Sequence, residues 1–193
     1  MAWSPDGRRL LYETANEPDA PAYRVWDGET GQTLALTGAM AGCPLEELIG
    51  PPAWSPDGTL IAFVSGWEHA GLWVIDVESP ACRRVAEGSK IVRATWVDTH
   101  TLLYQEHRGT WYEQLHLADV AAPGVSTPAD ALLSAAGEAG QYSLSPARDG
   151  GRYLAGVVFS PEPGGALRVA PLPDAPPLAL PAQPAIALIG EPP

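Results

Sequence analysis

The chain has 193 residues with 11 Lys and Arg against 23 Asp and Glu, a formal charge of −12 with neutral histidines, which argues against nucleic acid because phosphate binding is driven by cationic side chains that release counterions. At 46% hydrophobic and 18% charged it has core-forming content, yet no apolar stretch approaches the roughly 18 residues of a membrane helix, so no membrane partner is expected. Pro at 21 and Gly at 20 disfavour long helices and point to many short strands joined by turns.

The N-terminus reads Met1-Ala2-Trp3-Ser4-Pro5-Asp6-Gly7 and lacks the charged-then-apolar layout of a signal peptide. As it stands the chain is expected to be cytoplasmic, or extracytoplasmic if it is a piece of a longer secreted protein. Strands are predicted at Leu10-Leu11-Tyr12, at the alternating segment Tyr23-Arg24-Val25-Trp26-Asp27, and, after the turn Gly28-Glu29-Thr30-Gly31, at Thr33-Leu34-Ala35-Leu36. Cys43 follows, and its separation of 39 residues from Cys82 matches no metal-ligand or CxxC spacing. Free thiols are expected there in preference to a single disulfide.

Trp54-Ser55-Pro56-Asp57-Gly58 then repeats the first motif intact, 51 residues on. It leads into Leu60-Ile61-Ala62-Phe63-Val64, Leu72-Trp73-Val74-Ile75-Asp76 and the outer strand Arg83-Arg84-Val85. A degenerate third copy starts at Trp96, 42 residues after Trp54. Its Thr101-Leu102-Leu103-Tyr104 and Leu115-His116-Leu117-Ala118-Asp119 supply the matching strands, without the Pro and Gly of the corner. The fourth copy is Leu144-Ser145-Pro146, with two extra residues before Asp149-Gly150, then Tyr153-Leu154-Ala155 and Leu167-Arg168-Val169-Ala170.

Four units of about four short antiparallel strands each describe an all-β propeller, one domain over 1–193 with blades near 1–38, 48–88, 90–133 and 140–182. Pro presets φ in the corner, Asp accepts a local N–H, and Gly supplies the positive φ that reverses the chain. The preceding tryptophan is wide enough to fill a seam between blades. Trp3, Asp6, Gly7, Trp54, Asp57, Gly58 and Trp96 are therefore assigned structural roles. Unit one has no approach segment before Ala2-Trp3, whereas Leu48-Ile49-Gly50-Pro51-Pro52 precedes Ala53-Trp54 and resembles the C-terminal Leu188-Ile189-Gly190-Glu191-Pro192-Pro193. Residues 185–190 are thus expected to supply the inner strand that closes blade one, or to start a next blade. A closed or nearly closed four-blade ring is the expectation, with a partial propeller and half of a larger ring as alternatives. An open arc would expose blade edges through which copies could pair.

These W-S-P-D-G units resemble the WD40-like, TolB-type propeller repeats, strongly in units one and two and weakly in three and four. The resemblance implies a platform for binding proteins or ligands, or the gating portion of a prolyl-oligopeptidase-like hydrolase whose catalytic domain lies outside this chain. A glycan-binding propeller is a further alternative.

The chain has no G-x-S-x-G elbow, H-E-x-x-H, phosphate loop or CxxC pair, so a non-enzymatic module without cofactor or metal is expected. One constellation remains: Glu68-His69-Ala70-Gly71-Leu72-Trp73 matches Glu106-His107-Arg108-Gly109-Thr110-Trp111 at an offset of 38. Both are placed in the connection between second and third strands, on one rim of adjacent blades. Trp67, Glu68, His69, Glu106, His107 and Arg108 are accordingly the candidate contacts for a protein, peptide or small polar ligand, because rigid aromatics and polar tips suit such partners. His116, a lone strand histidine, is expected to be a packed or surface residue rather than a base.

Overall fold

The computed structural model describes residues 1–14, 23–36, 43–45, 48–66, 70–79, 81–108, 112–129, 139–144, 153–159 and 165–171, with only the backbone of 108, 112–113 and the last three segments. Fifteen strands and no helix occur among them. Blade one contains β1 (Ala2–Trp3), β2 (Arg9–Glu13), β3 (Tyr23–Asp27) and β4 (Thr33–Ala35). Blade two contains β5 (Ala53–Trp54), β6 (Leu60–Ser65), β7 (Gly71–Asp76) and β8 (Ala81–Glu87). Blade three contains β9 (Ile91–Trp96), β10 (Thr101–Arg108), β11 (Tyr112–Asp119) and β12 (Ser126–Pro128). Blade four contributes β13 (Ala139–Leu144), β14 (Tyr153–Phe159) and β15 (Gly165–Pro171). Every sheet follows chain order with antiparallel neighbours, which is the strand order of a propeller blade. The chain is an all-β partial propeller.

The corners form because one serine organises them. Ser55 accepts the Leu60 N–H on its hydroxyl at 2.9 Å and donates that hydroxyl to Asp57 at 2.6 Å, while its own N–H reaches the Leu60 carbonyl at 2.8 Å. Ser4 makes the same three bonds to Arg9 and Asp6. Both serines are buried, so the hydroxyl leaves no polar atom unsatisfied where water cannot reach. Gly7 and Gly58 sit at φ 72° and 74°, the left-handed region that only glycine enters without cost. In unit three Val97 replaces the serine, and the shorter hairpin is closed by the Asp98 carboxylate accepting the N–H groups of His100 and Thr101, both at 2.7 Å.

The seams follow from the strand period. Leu11 and Val25 of blade one pack with Trp54, Ile61, Phe63 and Ile75 of blade two. On the other side of blade two, Ala62, Val64, Leu72 and Val74 pack with Trp96, Leu102, Tyr104 and Ala118 of blade three. Residues two apart share a face, so the sheet of blade two is apolar on both sides. The indole of Trp54 donates to the Ala2 carbonyl at 3.1 Å, and that of Trp96 donates to the Ala53 carbonyl at 2.9 Å. β13 packs on β11 to continue the series. Among the described residues blade four makes no comparable seam with blade one, and the expected clasp at 185–190 lies outside them.

The expectation of free thiols is corrected: Cys43 and Cys82 form a disulfide with their Cα atoms 5.7 Å apart. Their distance in sequence hides a short distance in space, because the chain leaving blade one passes beside β8, the outer strand of blade two. The bond ties the crossing between blades to the sheet that follows it, and both cysteines join the apolar cluster of that seam. Closing a loop of this length restricts the unfolded chain. Reduction, or Cys82→Ser, is expected to cost about 2–4 kcal/mol, measured as a lower denaturation midpoint. Equal midpoints with and without reductant would contradict the assigned bond.

Candidate functional site

Because consecutive strands are antiparallel, the chain turns alternate between the two ends of each blade. One end carries the hairpins from first to second strand and the turns from third to fourth. Aspartates crowd this rim, and folding consumes them. Asp27 accepts the N–H groups of Glu29 and Thr30 at 2.9 and 2.8 Å, Asp76 those of Glu78 and Ser79 at 2.9 and 3.0 Å, and Asp119 that of Ala121 at 2.7 Å. The backbone N–H of Thr30 holds the Asp27 carboxyl below its usual range, and that of Ser79 does the same for Asp76. The Ser4 hydroxyl lowers Asp6. At Asp57 partial burial pushes upward but is outweighed by the Ser55 hydroxyl and the Thr59 N–H. Arg9 adds a link between blades, reaching the Gly58 carbonyl and the Glu78 carboxylate, each at 3.3 Å.

The opposite rim is built differently. There the approach segment Ile49–Ala53 crosses between blades and walls two clefts. One, of about 320 Å³, lies between this segment, Ala62–Val64 and Val92–Thr95, and Arg93 is its one charged lining residue. The other, of about 270 Å³, lies across Gly50, Pro51 and Pro52 against Ala2, Leu11, Tyr12, Glu13 and Tyr23. Two consecutive prolines give the shared wall a restricted backbone. The clefts thus present mixed polar and apolar surfaces with a guanidinium on one side of the wall and a carboxylate on the other.

The sequence-derived contacts fall out as follows. Trp67, Glu68 and His69 lie outside the described residues. Glu106, His107 and Arg108 belong to β10 itself rather than to a connecting loop, and they pair with Gln114, Glu113 and Tyr112 of β11. The physical reason for this correction of position is that β10 and β11 keep their ladder to the end, with a register shift against β9 between Gln105 and Glu106 absorbing the extra length. Successive strand residues take opposite faces, so Glu106 and His107 are not displayed together. Glu106 lies on the blade-two side, with its carboxylate 3.5 Å from Nε2 of His116. His116 is buried and stacks on Tyr104, ring centroids 5.0 Å apart at 14°. Burial pushes the Tyr104 phenol up, with the Glu106 charge adding to it. Tyr104, His116 and Glu106 therefore form the polar margin of a seam. The contact of Glu106 with His116 was hidden in the sequence, although the two-residue step from Tyr104 to Glu106 already placed those side chains on one face. The Arg93 and Pro51–Pro52 clefts were missed because their parts come from three separate stretches of chain. Among the described residues no three His, Cys, Asp or Glu side chains gather as a metal site would require.

No family model and no curated protein matches the chain. Among solved structures it is similar to a protein assigned as TolB from Agrobacterium tumefaciens, at 18% identity over 65% of this chain and 46% of that one, TM-score 0.47. It is also similar to the β-propeller domain of the Trilobed protease from Pyrococcus furiosus, at 12% identity over 83% and 52%, TM-score 0.42. A third likeness is to the acylaminoacyl peptidase of Pyrococcus horikoshii, at 16% identity over 76% and 27%, TM-score 0.40. The chain spans about half or less of the length of these structures. Its own strand order and seams carry the propeller assignment.

The aspartate rim has a consequence for acid stability. A carboxyl whose folded pKa is depressed stabilises the fold fully above its unfolded value, and that stability is lost as the pH falls through the folded value. Thermal midpoints are expected to hold level from neutrality down to about pH 5 and to fall steadily below about pH 4. Asp27→Asn with Asp57→Asn keeps both acceptors but removes their titration, so it should flatten part of that fall. An unchanged slope in the double variant would refute the role given to these turns.

Proposed function

We propose that this propeller is a non-enzymatic interaction module that takes a short peptide segment of a protein partner on the rim of the blade-to-blade crossings. The observation that carries the reading is the pair of clefts sharing the Pro51–Pro52 wall. Their volumes lie at or just below the lower end of the range for ligand pockets, enough for one or two side chains, and their linings mix apolar with polar surface. Arg93 at one cleft and Glu13 at the other would fix direction by pairing with opposite charges, since charge at the rim of an interface steers register more than it adds affinity. The aromatic ring of Tyr23 supplies rigid contact area with little entropy to lose. The opposite rim lends support by elimination, because its carboxylates already serve backbone N–H groups.

Selection from a random peptide library on the immobilised full chain, followed by fluorescence polarisation of the enriched peptides, tests the reading. Enriched sequences should combine an acidic residue with neighbouring apolar ones. Arg93→Glu should weaken binding by about tenfold or more, the scale of one charge reversal at a partly buried contact. Glu29→Arg on the aspartate rim should leave binding unchanged. Failure to enrich any peptide, or equal binding by the Arg93 variant, would sink the proposal.

A further inference from the structure

The inner strands of blades two and three differ at one position, and the difference opens a backbone edge into the Arg93 cleft. β9 pairs with β10 on one side, and its other side is the inner edge of the sheet. In an antiparallel pair the backbone bonds come from alternate residues. The Val97 N–H reaches the Thr101 carbonyl at 2.8 Å, and Trp96, Thr95 and Ala94 continue that register opposite Leu102, Leu103 and Tyr104. Val97 and Thr95 therefore direct their backbone groups toward β10. Ala94 turns its N–H and C=O the other way, to the inner edge, and it lines the cleft of about 320 Å³. In blade two Trp54 takes the register position of Trp96, so Pro52 stands where Ala94 does. Proline has no N–H to donate. The inner edge of blade two is thus blocked to strand pairing at that position, and that of blade three is open.

The rest of the cleft suits an extended chain. Its far wall is Gly50, Pro51 and Pro52, and because the prolines donate nothing, an incoming backbone finds its donor on the β9 side. Ala53, Ala62 and Ala94 all line the cleft and meet at the seam between blades two and three, so a side chain directed there meets little bulk. A strand edge with free N–H and C=O groups is a template for another strand. Strand addition to such an edge holds peptides elsewhere, backbone bonds giving affinity and alternate side chains giving specificity. We infer that the peptide partner binds as an added antiparallel strand on β9, with one of its residues exchanging both backbone hydrogen bonds with Ala94. Residues paired across a sheet share a face, so that residue carries its side chain toward Ala53 and Ala62 and is apolar. The inference rests on the interaction-module reading and adds its mode of binding: the partner presents an extended segment, not a helix.

The probe is the tightest-binding peptide from the library selection, tested on the full chain. Methylating its backbone nitrogens one at a time should weaken binding at alternate residues, by about 3–10-fold or more for each lost hydrogen bond, and leave the residues between them little affected. Ala94→Pro removes the edge N–H, which takes no part in the β10 ladder, and proline is tolerated on a strand edge facing away from its neighbour. The variant should lose about 3–10-fold in affinity, the factor for one hydrogen bond, with its thermal midpoint little changed. In the wild type, the Ala94 amide should exchange more slowly once the peptide is bound, a readout that does not depend on the variant folding. A peptide whose binding depends on Arg93 but shows neither the alternating methylation pattern nor slowed Ala94 exchange would overturn the added strand and leave the interaction module standing. If no peptide binds, both are overturned.

Discussion

The hydrogen bond from a buried indole to the carbonyl of the preceding blade is the interaction on which the arrangement of the sheets depends. A sheet that is apolar on both faces must be covered on both. A tryptophan at the seam supplies much of that cover, but a buried indole N–H left without an acceptor would offset part of the gain. The acceptor is always the residue just before the tryptophan of the previous unit, Ala2 for Trp54 and Ala53 for Trp96. Units one to three therefore each carry a tryptophan beside a backbone carbonyl, and the two bonds set blade two against blade one and blade three against blade two. Alanine at the acceptor position keeps the indole approach open. In blade four Leu144 stands at the register position of the tryptophan.

The two rims of the blades are built by different means. Where the hairpin corners lie, hydroxyls and carboxylates are bound to backbone N–H groups two to five residues away, and removing any of them would first damage a turn. The other rim must carry the chain from each blade to the next, and the crossing from blade one to blade two does so with a Pro-Pro segment anchored by the Leu48 to Ser65 bridge and, upstream, by Cys43. Anchored upstream in this way, and with two prolines that restrict its backbone, the crossing makes a firm wall.

Much of this architecture was legible in the sequence because its rules are local. Ser-Pro-Asp-Gly before an apolar strand places a corner, and the spacing from Trp3 to Trp54 to Trp96 places the blades. The central part of the serines in the corners was not read, although Ser4 and Ser55 stand in the motif as plainly as the aspartates. What could not be read was non-local. The disulfide depends on β8 returning to the side of the sheet where the chain enters. The likeness of Glu68-His69 and Glu106-His107 suggested two displayed tips, but β10 runs on through Arg108 and sends Glu106 and His107 to opposite faces. A loop and the end of a long hairpin look alike in a sequence whose strands are short and whose turns are marked by single glycines.

Hydrogen exchange at the indole nitrogens tests the seam bond most directly. In a nitrogen-15 spectrum of the full chain, the Nε1 protons of Trp54 and Trp96 should exchange as slowly as the amides of β6 and β10, because breaking either bond requires parting two blades. Exchange of those two indoles at the rate of a solvent-exposed tryptophan, while the strand amides stay protected, would show that the blades are held together without this bond.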